Sequence, residues 1–122
     1  MKSFSRALIV AVFPLLAAGW SDRHLELLAS DPQKDQTIAS RPIDISLIFS
    51  ESVDSARTSV ALVGPSGPVE MAPIRLRDEA LVVLAKVAGP MSGGTYTVSW
   101  VAAAHGEDPI KGSFRFSVRQ AR

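Results

Sequence analysis

The sequence predicts an all-β domain: an immunoglobulin-like antiparallel β-sandwich of about seven short strands, preceded by a signal peptide. Three observations predict it. After residue 30 no helical period persists, and apolar residues alternate with polar ones or gather in β-branched runs. Gly and Pro clusters punctuate those runs at short intervals. The first twenty residues have another character, with a basic start, an apolar stretch and a small-residue exit.

The leader comes first in the chain. Lys2 and Arg6 open it, residues 7–18 (ALIVAVFPLLAA) carry no charge, and Ala17, Ala18, Gly19 and Ser21 are small. The run is shorter than the roughly 20 residues a membrane span needs, so a cleaved signal peptide is expected over 1–21, the alternative being an uncleaved anchor. The domain then occupies 22–122, has no membrane span, and carries 11 basic against 12 acidic residues. A cysteine-free exported domain suits a bacterial periplasm, where disulfides are optional.

Leu25, Leu27 and Leu28 suggest a strand near the start of the domain. Ile43, Ile45, Leu47 and Phe49 alternate with Asp44, Ser46, Ile48 and Ser50, the pattern of a half-buried strand. Residues 58–63 form a third run, closed by Gly64, Pro65, Gly67 and Pro68. Met71, Ile74 and Leu76 mark a weaker strand that ends at Arg77-Asp78-Glu79. Residues 80–87 (ALVVLAKV) are the most apolar run and read as a central strand. A turn follows at 89–94. Then Tyr96, Val98 and Trp100 share one face, and Phe114, Phe116 and Val118 share another beyond a loop at 102–109. Without the cysteine pair of antibody domains, Phe49, Tyr96, Trp100, Phe114 and Phe116 are the expected core anchors.

Composition excludes several functions. The charged fraction is 20% and the hydrophobic fraction 47%, a globular balance. A net charge of +1 without a basic run disfavours nucleic acid as a partner. Zero cysteines exclude a disulfide framework, a thiolate metal site and a Cys nucleophile. The glycine clusters join strands to strands, so they are not phosphate loops, and no Ser sits in a nucleophile signature. The chain reads as a non-enzyme.

Chemistry concentrates where the two histidines lie. If cleavage follows Ser21, the new terminus is Asp22-Arg23-His24. A free amine, two deprotonated amides and an imidazole at the third position suit the square-planar preference of Cu(II) or Ni(II). The alternative is an exposed His in a frayed terminus. The second place is the loop Ala104-His105-Gly106-Glu107-Asp108-Pro109, which gathers one imidazole and two carboxylates. Its alternative is a solvated polar turn. Met71 and Met91 are either soft thioether ligands or packing residues. Arg75, Arg77, Arg115 and Arg119 read as solvated strand faces that discourage edge pairing.

Over residues 24–118 the segments resemble the CopC-type family of periplasmic copper-binding and copper-resistance proteins. The carriers are His24-Leu25, Ala29-Ser30-Asp31-Pro32, residues 45–53 (ISLIFSESV), residues 93–100 (GGTYTVSW) and residues 109–118 (PIKGSFRFSV). Trp100 stands nine residues before Pro109, which opens a Pro-x-x-Gly-x-Phe ending, as in the family. The resemblance implies a Greek-key β-sandwich that binds Cu(II). The family's usual ligands are a mature N-terminal His and an Asp-x-His-Pro segment. Here those three positions hold Asp22, Gly106 and Asp108, and the Met-rich loop of some members is missing. The expectation is copper binding through rearranged N/O ligands: Asp22, His24, His105 and Asp108. The implied partners are the copper ion and an inner-membrane copper transporter or another envelope protein. The alternatives are a copper-free spacer module and a site for a different divalent ion on Glu107 and Asp108.

Overall fold

Alternation builds the two sheets. The computed structural model describes residues 24–42 and 44–119. The expected leader, Asp22 and the start of the 22–122 domain lie outside the described residues. Among the described residues nine strands form: β1 (Leu27–Asp31), β2 (Thr37–Ile38), β3 (Asp44–Phe49), β4 (Ser59–Gly64), β5 (Gly67–Val69), β6 (Arg75–Arg77), β7 (Val82–Lys86), β8 (Gly94–Ala102) and β9 (Ile110–Val118). They make a four-stranded sheet in the order β1-β3-β7-β6 and a five-stranded sheet in the order β2-β9-β8-β4-β5. The chain crosses between sheets from β1 to β2, β2 to β3, β3 to β4, β5 to β6 and β7 to β8, so β3 neighbours β7 and β4 neighbours β8. This is a Greek-key sandwich.

The expected strands are all present, and two more join them. β5 is three residues long and pairs back on β4 across the Gly64–Gly67 turn. β2 is two residues long and pairs parallel with the end of β9, so the sandwich is not wholly antiparallel. Neither is long enough to show an alternation. β7 begins at Val82 rather than at residue 80, because Asp78, Glu79 and Ala80 take left-handed φ values of 54, 58 and 66°. That conformation costs roughly 1–2 kcal/mol per residue. Four hydrogen bonds hold it: Leu81 N–H donates to Asp78 O (3.1 Å) across the turn, Ser52 Oγ to Glu79 O (2.6 Å), Val53 N–H to Ala80 O (2.9 Å) and Phe49 N–H to Leu81 O (2.8 Å).

The core lies between the sheets. Ile45, Leu47, Phe49, Val83 and Ala85 enter from one side, and Leu62, Tyr96, Val98, Trp100, Phe114, Phe116 and Val118 from the other. Phe49 meets Trp100 edge-on, with centroids 5.3 Å apart and planes at 73°. Tyr96 stacks on Phe116 at 5.7 Å, and its hydroxyl donates to Ser92 O (2.6 Å), fixing the turn before β8. Gly112 is the seat of the Trp100 indole: a Cβ there would stand 2.6 Å from Cζ2 of the ring. Met91 is buried and Met71 half-buried against the same core, so both pack.

Candidate metal centre

One end of the sandwich carries both histidines. There β3 ends, a 3-10 turn at Ser55–Arg57 leads into β4, and residues 103–109 connect β8 to β9. Ser50 organises the N-terminal side. Its N–H donates to Glu26 O (2.9 Å), its Oγ accepts from Glu26 N–H (2.9 Å), and the same Oγ donates to His24 O (3.4 Å). A few residues on, Val53 bridges Ala104 and Asp54 N–H donates to Ala103 O (2.7 Å). Residues 50–54 therefore hold the backbone of His24 with one end and the root of the His105 loop with the other. Both histidines are exposed, as is Asp108.

The loop folds into a tight turn for a local reason. Glu107 N–H donates to Ala104 O (3.1 Å), and Gly106 takes a φ of +79°. A four-residue turn with positive φ at its third position wants Gly there. His105 occupies the second position, at the corner, where its ring faces water.

Two residues that the pattern of the sequence does not flag complete this end. Arg57 Nη2 donates to Ala104 O (3.0 Å), Nη1 to Glu107 O (2.9 Å) and Nε to Asp54 Oδ2 (3.2 Å). Asp54 caps the 3-10 turn through Oδ1, which accepts from Ala56 N–H (3.1 Å), and Thr58 Oγ1 donates to Asp54 O (2.8 Å). The Arg57 guanidinium holds the Asp54 carboxyl below the usual carboxylate range, helped by the Ala56 N–H. The capping Asp54 three residues before Arg57 is the local signal; the loop Arg57 reaches lies 47 to 50 residues away in sequence.

The donors at this end are nitrogen and oxygen, with the two imidazoles as the borderline ligands that suit Cu(II). Asp54 is committed to Arg57 and Ala56, so it is not a ready ligand. Among the described residues, no three His, Asp or Glu side chains gather closely enough to hold an ion. The structure thus brings His24 and His105 to one end without joining them and Asp108 into a closed set. Met71 pairs with Val87 beyond the far end of β7, away from the histidines. A concavity of about 430 Å³ lined by Pro65, Pro68, Met91 and Tyr96 also lies there and contains no histidine.

With the geometry in place, comparison with known proteins decides the family. The CopC domain model matches residues 27–119. The chain belongs to the CopC domain family. This CopC domain is 29% identical to copper resistance protein C of Xanthomonas campestris pv. juglandis, over 91% of this chain and 92% of that one. It is 26% identical to copper resistance protein C of Escherichia coli, over 98% and 100%. The crystal structure of PcoC, a methionine-rich copper resistance protein from Escherichia coli, superposes with a TM-score of 0.70 at 29% identity, covering 79% of this chain and 99% of PcoC. The family is one of copper-resistance proteins and not of enzymes.

Proposed function

We propose that this CopC domain is an exported copper-binding protein that contributes to copper resistance in the bacterial periplasm. It takes Cu(II) as cargo at the end of the sandwich that carries both histidines. The observation that supports this reading is the one segment, residues 50–54, that grips the His24 backbone and the His105 loop together. His24 and His105 supply imidazole nitrogens and Asp108 an oxygen. Once the leader 1–21 is removed, Asp22 supplies the α-amine. Cu(II) stands above the other divalent ions in affinity for such a set. An inner-membrane copper transporter or another envelope protein receives the ion.

Mass spectrometry of the exported protein locates its start. Titration of that form with Cu(II), followed by its d–d absorption, then reads the site. The expected result is binding tighter than micromolar that weakens in His24→Ala and again in His105→Ala. A wild type without such binding would overturn the reading and leave a copper-free envelope module. Zn(II) or Mn(II) binding that survives His24→Ala but not Asp108→Ala would transfer the site to the carboxylates.

A further inference from the structure

Arg57 makes three hydrogen bonds with one guanidinium, and their targets form a pattern. Ala104 and Glu107 are the first and last residues of the turn whose corner is His105, and Arg57 donates to the carbonyl of each. The third bond ties the same group to Asp54, whose own N–H holds Ala103 O. The fork therefore closes the base of the turn and anchors it to the strand end that also reaches His24. Nothing in the loop itself could do this: its one internal bond runs from Glu107 N–H to Ala104 O.

We propose that Arg57 is a positioning residue of the copper site: it staples the turn so that the His105 imidazole is presented in one place. The proposal rests on the reading of this end as a Cu(II) site. The device depends on shape as well as charge. A planar guanidinium can serve two carbonyls and a carboxylate at once, whereas a lysine ammonium on a flexible stem cannot keep that fork. The staple also keeps the Asp54 carboxylate occupied, which leaves capture of the ion to the histidines and Asp108 rather than to a deeper acid. Groups that orient a ligand from behind commonly change metal affinity without touching the metal.

The test uses the exported chain as wild type, Arg57→Lys and Arg57→Gln. Three quantities are read: hydrogen exchange of the Glu107 amide in the metal-free protein, Cu(II) affinity, and the electron paramagnetic resonance spectrum of the copper-loaded form. Both variants are expected to keep the melting temperature within a few degrees and to lose protection at Glu107. They are expected to bind Cu(II) about tenfold or more weakly, with a broadened or shifted copper signal. Arg57→Lys is expected to rescue little, since it restores charge but not the fork. Variants with wild-type affinity and an unchanged spectrum would overturn the staple and leave the copper reading standing. A wild type that captures no Cu(II) would overturn both.

Discussion

Phe49 of β3 and Trp100 of β8 meet edge to face across the two sheets, with centroids 5.3 Å apart. The contact joins the end of an inner strand of one sheet to one of the two longest strands of the other. Just beyond each residue the chain enters the histidine end: Ser50 follows Phe49, and Ala103 and Ala104 follow β8.

Phe49→Ala is therefore expected to cost about 3–5 kcal/mol, the range for a fully buried aromatic whose cavity cannot collapse. In a domain of this size that lowers the melting temperature by well over ten degrees, at roughly 4–8 °C per kcal/mol. Thermal unfolding by circular dichroism checks it. A loss below about 1 kcal/mol would mean the sheets do not depend on this contact.

Ala80 sits at φ 66° in the left-handed turn between β6 and β7. Ala80→Gly is expected to stabilise by about 1 kcal/mol, since Gly relieves the Cβ clash that left-handed backbone imposes. The gain is reduced by the greater freedom of Gly in the unfolded chain. Denaturant unfolding with an unchanged m-value measures it.

The Asp54 carboxyl is held low, first by the Arg57 hydrogen bond and then by the Ala56 N–H. Its contribution is thus complete above the ordinary carboxylate pKa of about 4 and disappears as pH falls through the lowered folded value. The stability difference between wild type and Asp54→Asn is expected to be constant from neutral to mildly acidic pH and to vanish in strong acid. Unfolding of both proteins across that range checks the direction. A difference that grew as pH fell would contradict it.

An ion that binds only the folded state stabilises it, by about 2.7 kcal/mol at a hundredfold excess over Kd. Cu(II) is expected to raise the melting temperature of the exported domain, and a chelator to reverse the rise. His24→Ala combined with His105→Ala is expected to abolish the shift while leaving the metal-free melting temperature nearly unchanged, because both side chains are exposed.

The faces of β3, β8 and β9 were legible in the sequence because a strand that buries one face writes its burial as a period of two. Ile45, Leu47 and Phe49, then Tyr96, Val98 and Trp100, then Phe114, Phe116 and Val118, all point inward as that rule requires. β2 and β5 were not legible: two or three residues carry no period, and β2 exists only because the end of β9 offers its backbone for parallel pairing. The late start of β7 was hidden as well, since residues 80 and 81 are apolar and the bonds from the distant Phe49, Ser52 and Val53 help draw the turn into a left-handed path.

By itself, then, the sequence determined the sandwich, its core aromatics, the absence of thiol chemistry and the two segments where imidazoles occur, because these depend on composition and on neighbours along the chain. Only the tertiary structure decided that His24 and His105 share one end, and that Arg57 closes the turn beneath His105. Those relations depend on strand register and on contacts between residues up to 51 positions apart. No local pattern of side chains encodes such a distance.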